Sequence, residues 1–399
     1  MAVREDVLTD AESEIWLKDF RISAEANLKL EGSADWSIAK RTLHGGPSAN
    51  IDVITLDNGV LSVEVLPTRG MGLWKGTFRG TNLGWQSPVR FPVHPSLVNL
   101  ADQRGTGWLT GFNEWMCRCG LNSFGPPSSS SSENGTANER PSTLHGRIAN
   151  LTAHFVSTKV DTAGKGRLTV RGIVEEAALF GGCLRLDNSL HATAGSNSLE
   201  LVDTITNCSD MPAEVQILYH INFGPPLLGE GSRIFASIEQ LAPYDEHSAK
   251  SSESWDMCGK PTAGFVQQCY FVKPLADSEG LATILFCNPA GDFAVQITFD
   301  LQQLPCLTLW KNFAGERDGY VIGIEPGTSY PKPKLLERQL GRVPQLGPDE
   351  SLQTSVRLSF FDDSKSIAAI VASIAQLQAG HDPQIHKTLQ PSFSFLKAE

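Results

Sequence analysis

The chain has 399 residues, with 36 Gly and 23 Pro, 41% apolar and 19% charged residues. Those proportions exclude collagen and low-complexity disorder for most of the length, and a chain this long can bury a core without disulfide staples. The 33 basic residues against 44 acidic give a formal charge of −11, which disfavours nucleic acid or an anionic membrane as partner.

Residues 1–10 are charged and carry no signal-peptide apolar stretch. No run of about 18 apolar residues predicts a membrane span. Eight cysteines are few for this length. Only Cys117-x-Cys119 is closely spaced, and one intervening residue is not the spacing of common zinc sites. Reduced, mostly buried thiols in a cytoplasmic protein are therefore expected. Asn134-Gly-Thr136, Asn150-Leu-Thr152 and Asn207-Cys-Ser209 match the glycosylation tripeptide, and without a secretion signal they read as chance.

In chain order, Thr9 to Lys18 predicts a short helix: Thr9 and Glu12 have capping-box spacing, and Ile15 and Trp16 supply an apolar patch. From Ile51 onward, short β-branched runs alternate with turn residues. They include Ile51–Leu56, Leu61–Val65, Ala153–Val156, Leu168–Val174, Leu199–Ile205 and Glu214–Phe223. Ala282–Phe286, Phe293–Phe299, Leu307–Phe313, Tyr320–Ile324 and Ser355–Phe361 follow. Such spacing suits antiparallel meanders, and without intervening amphipathic helices a doubly wound α/β sheet is disfavoured. A serine run over 128–135, bracketed by Pro126, Pro127 and Gly135, predicts a flexible surface loop. Ile367, Ile370, Val371, Ile374 and Leu377 have helical spacing, predicting a helix over 364–380 that packs on the body, followed by an irregular tail. The expected class is all-β: one domain over 1–399, with a large antiparallel β-sandwich over 20–361 and a few peripheral helices.

Four places could carry chemistry. In Tyr219-His220-Ile221-Asn222-Phe223-Gly224-Pro225-Pro226, strand alternation puts Tyr219, Ile221 and Phe223 on one face and His220 and Asn222 on the other, offering an imidazole beside an amide. Glu325 ends the apolar run Tyr320–Ile324, where partial desolvation would raise its pKa and suit it to act as a base. His145 and Arg147 would share one face if their segment is a strand. Arg69, in a glycine-flanked turn, offers fixed donors suited to hydroxyls or a phosphate. Trp74, Trp85, Trp108, Trp115 and Trp310 supply flat indoles on which a sugar ring can stack, and Trp310-Lys311-Asn312 lies just upstream of Glu325. No phosphate loop, Ser-His-Asp arrangement or nucleotide fingerprint is present, which disfavours kinase, hydrolase and dehydrogenase chemistry.

Asn207 to Val215 followed by Tyr219-His220-Ile221-Asn222-Phe223 resembles the acid-histidine strand of the aldose 1-epimerase (galactose mutarotase-like) superfamily. Ile324-Glu325-Pro326-Gly327-Thr328 is similar to its catalytic-glutamate motif, Leu144-His145-Gly146 to a second histidine motif, and Arg69 to an upstream arginine. The texture around Arg69-Gly-Met-Gly and Gly84-Trp-Gln-Ser-Pro88 is closest to the DUF4432 branch. Asn222 stands one position early, and Asp245 is a candidate counterpart of the family's substrate-binding aspartate.

The resemblance implies a galactose mutarotase-like supersandwich with an open sugar cleft and no cofactor. It implies an isomerase that exchanges anomers of a free sugar or derivative by acid/base ring opening. Glu325 would be the base and His220 the acid, with Arg69, His145, Arg147, Asn222, Lys311 and Trp310 binding the sugar. A carbohydrate-binding protein without turnover, or another sugar epimerase or lyase on the same scaffold, are the alternatives. A metal held by His145, His220 and a carboxylate is not supported by any short ligand spacing. The partner is expected to be a small sugar, and the protein a monomer or homodimer.

Overall fold

The computed structural model of the chain describes residues 3–24, 28–33, 35–128 and 141–393. Two large sheets face each other across a continuous hydrophobic core. The first runs Arg233–Ala236, Leu281–Cys287, Ala294–Asp300, Ser351–Phe361, Ser198–Asn207, Gly182–Thr193, Arg167–Ala178, Phe155–Asp161, Val3–Asp10 and Ile15–Trp16. The second runs Gln384–Ile385, Ile238–Pro243, Gln268–Pro274, Cys306–Asn312, Val321–Gly327, Gln216–Phe223, Met116–Leu121, Gly72–Phe78, Leu61–Leu66, Asp52–Asp57, Ser37–Thr42 and Phe20–Ser23. A short strand, Thr81–Leu83, pairs with Gly72–Phe78. Neighbouring strands are antiparallel except Gln384–Ile385, which runs parallel to Ile238–Pro243. Among the described residues the longest helix is Ser364–Gln378, and no helix is long and apolar enough to cross a membrane. All eight cysteines are free.

The chain departs from the sequence reading at both ends. The helix expected over Thr9 to Lys18 is a hairpin of Val3–Asp10 and Ile15–Trp16. Asp10 closes the turn by accepting the amides of Glu12 and Ser13, so the polar spacing that resembled a cap makes a turn instead. Val3–Asp10 also gains a partner distant in sequence, Phe155–Asp161, and such pairing overrides a local signal. Near the C-terminus, the tail expected to be irregular adds the parallel strand Gln384–Ile385, and Phe393 packs against Phe271 and Tyr330. The predicted C-terminal helix forms over Ser364–Gln378, capped by the Asp363 carboxylate accepting from the Ser366 amide. It seats Ile367 and Ile374 on Leu285, Cys287 and Ala294, covering one end of the first sheet. The predicted serine loop, apart from Ser128, lies outside the described residues.

One polar element crosses the core. Arg118, on Met116–Leu121, reaches through the sandwich to Asp203 on Ser198–Asn207, with Nε and Nη2 donating to the carboxylate at 2.5 and 3.0 Å. Both side chains are fully buried. Arg118 Nη1 donates to the Met71 carbonyl, while Tyr219 and Asn188 donate to Asp203. The charges are thus paired and most of their hydrogen-bonding capacity is used, the condition under which buried ions are tolerated. Removing one partner strands the other. Asp203→Ala is expected to lower the unfolding free energy by about 3–5 kcal/mol in urea titrations, whereas an apolar double replacement, Arg118→Met with Asp203→Leu, loses less than either single variant. A near-neutral Asp203→Ala would show that the pair does not hold the sheets.

Candidate functional site

The face of the second sheet that points away from the core carries the site. Alternation within Gln216–Phe223 sends Ile217, Tyr219, Ile221 and Phe223 into the core and Leu218, His220 and Asn222 to the outer face. Register then lines up a row across five strands. Phe271 lies opposite Thr308, and Thr308 opposite Glu325. The pairs Leu218 with Gly327 and Ile221 with Ile324 set Glu325 opposite His220, which lies opposite Cys117. A carboxyl and an imidazole from segments a hundred residues apart thereby meet in adjacent strands.

Glu325 Oε1 stands 3.3 Å from His220 Nε2, and both side chains are at most 5% exposed. On its other side, His220 Nδ1 is 2.8 Å from Asn222 Oδ1. Asn222 donates through Nδ2 to the carbonyls of Glu114 and His220, which fixes the amide orientation and leaves its oxygen toward the ring. The network therefore assigns the neutral imidazole proton to Nδ1 and a lone pair to Nε2, aimed at Glu325. Burial pushes the Glu325 carboxyl well above the usual carboxylate range. Burial, followed by the neighbouring His145, pushes the His220 imidazole well below its ordinary value, against an opposing hydrogen bond from Asn222. With the imidazole's own proton on Nδ1, the two shifts favour a protonated carboxyl beside a neutral imidazole, with one mobile proton between them.

Aromatic rings wall the pair. Phe112, Trp310 and Trp108 lie 5.0, 5.4 and 6.0 Å from the His220 ring, measured between centroids, and Trp85 packs on Phe112. His145 stands edge-on to His220 at 5.3 Å and against Trp108 at 4.4 Å. Burial lowers the His145 pKa to about 4. Its segment is a turn rather than a strand, with His145 at φ +58° and Gly146 at φ +71°. A side chain on Gly146 would strike the carbonyls of Ser123 and Gly120. Gly323 is similarly constrained: it lies opposite both Trp310 and Asn222, and a Cβ there would collide with the Glu325 carboxylate.

The predicted residues separate into groups. His220, Glu325, Asn222, His145 and Trp310 converge. Arg69 does not reach them: its guanidinium is buried and donates to Glu114, Asn150 and the carbonyls of Val93 and Gly111. It fixes the loop that carries Phe112, and the Glu114 carbonyl that receives Asn222. Lys311 follows Trp310 in an extended strand and points to the opposite face, donating to the carbonyls of Ser254 and Met257. Burial lowers its pKa to about 8. Arg147 is exposed, and its charge acts on Glu176. Asp245 accepts from the Ser248 amide as the cap of a short helix. Trp115 lies in the core between the sheets, and Trp74 packs beside Ile51, Val53 and Leu66. Phe112, Thr308 and Gly323 were missed. Period-two alternation back from Trp310 and Glu325 points to Thr308 and Gly323, whereas Phe112 sits in a loop with no periodic signal.

Among the described residues, no group of three or more His, Cys, Asp or Glu is placed to hold a metal ion. Two surface depressions lie away from the row. One, of about 400 Å³, is on the outer face of the first sheet beside Lys159, Arg171 and His191, and another, of about 290 Å³, is beside Trp16 and Asp52. Arg171 is already paired with Asp187, and Asp52 with Lys40.

The family model for DUF4432, a domain of unknown function, matches residues 48–360. A Klebsiella pneumoniae protein of known structure, provisionally named an aldose 1-epimerase, is 36% identical with a TM-score of 0.91, over 97% of this chain and 99% of its own. A galactose mutarotase-like protein from Clostridium acetobutylicum is 15% identical with a TM-score of 0.52, over 78% and 96% of the two chains. The galactose 1-epimerase of Lactobacillus acidophilus is 14% identical with a TM-score of 0.51, over 81% and 98%. These last two likenesses establish the fold, which is galactose mutarotase-like. No curated protein matches the chain.

The raised Glu325 pKa has a sign that can be checked. An unfolded glutamate ionises above about pH 4.5, while the folded carboxyl keeps its proton to higher pH. Its contribution to stability is thus fully present below the unfolded value and is lost as pH rises towards the folded one. Glu325→Gln, which cannot ionise, is expected to melt above the wild type at neutral pH, with the gap closing near pH ~4.5. A variant that melts lower at every pH would show that the carboxyl stabilises the fold.

Proposed function

The chain belongs to the DUF4432 family, and we propose that it is an isomerase that interconverts the anomers of a free sugar or sugar derivative. The observation that carries this reading is the buried Glu325–His220 pair, 3.3 Å apart on an aromatic-walled sheet face. The Klebsiella relative's provisional name points the same way.

Anomer exchange needs a base for the proton of the C1 hydroxyl and an acid for the ring oxygen, with no net gain or loss of protons. A pair holding one proton meets that count. Moving the proton from the Glu325 carboxyl to His220 Nε2 yields a carboxylate base and an imidazolium acid. Sugar hydroxyls entering between them replace their contact and solvate the charges. The carboxylate takes the C1 hydroxyl proton as the imidazolium protonates the ring oxygen, the C1–O5 bond breaks, and an open-chain aldehyde forms. Rotation about C1–C2 and reversal of the steps yields the other anomer. Asn222 holds the imidazole through Nδ1, so Nε2 stays the reacting nitrogen throughout. The indoles of Trp310 and Trp108 offer surfaces for the apolar faces of the ring.

Glu325→Gln and His220→Asn are each expected to slow anomer exchange by roughly 10²-fold or more, measured by saturation-exchange NMR on a panel of free aldoses. Full activity in both variants sinks the assignment. Saturable binding without accelerated exchange in the wild type points to a carbohydrate-binding protein, and deuterium incorporated at carbon points to epimerase or lyase chemistry.

The one-proton state also dictates the pH profile. It is lost when His220 takes a second proton, below the ordinary imidazole range, or when the raised carboxyl releases the last one. The value of kcat/KM is therefore expected to stay level through pH ~6.5, where an unperturbed histidine would be half titrated. A sharp inflection there would contradict the shared-proton pair.

A further inference from the structure

Three buried polar atoms beside the reacting pair have no hydrogen-bond partner among the described residues: Thr308 Oγ1, Trp108 Nε1 and His145 Nδ1. Glu325 Oε1 joins them, with only its 3.3 Å approach to His220 Nε2. Other unpartnered buried atoms, such as Trp36 Nε1 and Ser252 Oγ, occur elsewhere. Around the Glu325–His220 pair, however, several belong to residues in mutual contact. Thr308 is the cross-strand partner of Glu325, and Trp108 packs on both His145 and His220.

A buried donor or acceptor left unmade costs free energy, and a site that tolerates several together is balanced by something that binds them. Valine would fill the place of Thr308 with the same shape and equal suitability for a strand. Phenylalanine would keep an aromatic ring in the cluster that Trp108 forms with Phe112, Cys117 and Leu218. The polar atoms are thus not required by packing. The indole N–H can only donate and needs an oxygen acceptor, whereas the threonine hydroxyl donates and accepts. A compact ligand bearing several hydroxyls on a ring with apolar faces supplies both.

We propose that Thr308 and Trp108 are hydroxyl-binding residues of the sugar site, Thr308 taking a hydroxyl beside the reacting centre held by Glu325, and Trp108 donating to a second oxygen next to His145. This rests on the anomer-exchange reading above. It adds a contact at Thr308 that none of the sequence motifs indicated, and gives the Trp108 N–H a role besides the stacking surface its indole offers.

The test uses Thr308→Val and Trp108→Phe in the full chain, with D-glucose, D-galactose, D-xylose and L-arabinose as probes. Melting temperatures are measured without sugar, and exchange kinetics by NMR. Thr308→Val is expected to melt at or above the wild-type temperature while its KM rises roughly 3- to 10-fold, the loss of one neutral hydrogen bond, with kcat changing less. Trp108→Phe is expected to show the same split, with the aromatic wall kept. A lower melting temperature in Thr308→Val with KM unchanged overturns the proposal, since the hydroxyl would then serve the fold. Unchanged kinetics in both variants of an active enzyme overturns this inference alone. A wild type that exchanges none of the four sugars overturns the functional reading, and this proposal with it.

Discussion

The structure depends on what the core does with strand Gln216–Phe223. Tyr219 is bound into the Arg118–Asp203 pair, donating from its hydroxyl to Asp203 and lying opposite Arg118 in the neighbouring strand. That pair joins two sheets whose facing surfaces are largely apolar, and the Tyr219 hydroxyl also meets Thr354 of the first sheet. Slipping the strand by one residue would pull Tyr219 from the Arg118–Asp203 pair and drive His220 towards it. The same lock that joins the sheets therefore fixes which face His220 and Asn222 occupy. The register with Val321–Gly327 does the rest, since Glu325 can only stand beside His220 if Ile324 and Ile221 pair.

Support for the reacting groups is layered around this strand. Arg69 looks from sequence like a substrate ligand, but four of its N–H groups are spent on protein acceptors. Its carboxylate partner, Glu114, offers its backbone carbonyl to both Asn222 and Trp85. An arginine thus acts on the imidazole through a carboxylate, a loop and an amide, without touching it. Ring and charge are divided in the same way at Trp310 and Lys311: alternation gives the indole to the outer face beside His220 and the ammonium to the loop at Ser254 and Met257.

Much of this was legible in the sequence, because the signals were local and periodic. Short β-branched runs foretold the sheets, the apolar spacing from Ile367 to Leu377 foretold the helix, and alternation placed His220 and Asn222 together. Glu325 stood out at the end of an apolar run and His145 beside Arg147, and family resemblance gave both their roles. What stayed hidden depends on distant partners. The hairpin at the N-terminus exists because Phe155–Asp161 offers it an edge. Asn222 one position early is no defect, since its position two residues from His220 lets the amide reach Nδ1. Arg69 and Lys311 were misplaced because charge type says nothing about which carbonyls a side chain will find. Phe112 was invisible because a loop carries no period.

The central claim is that one sugar sits between Glu325 and His220. The most direct measurement is a crystal structure of the protein soaked with free aldoses. The account predicts a sugar ring on the outer face of the second sheet, with its anomeric hydroxyl and ring oxygen within hydrogen-bond reach of the two side chains and the Glu325–His220 contact opened to admit it. A sugar bound elsewhere, with the carboxyl and imidazole still in contact beneath an empty cleft, would contradict it.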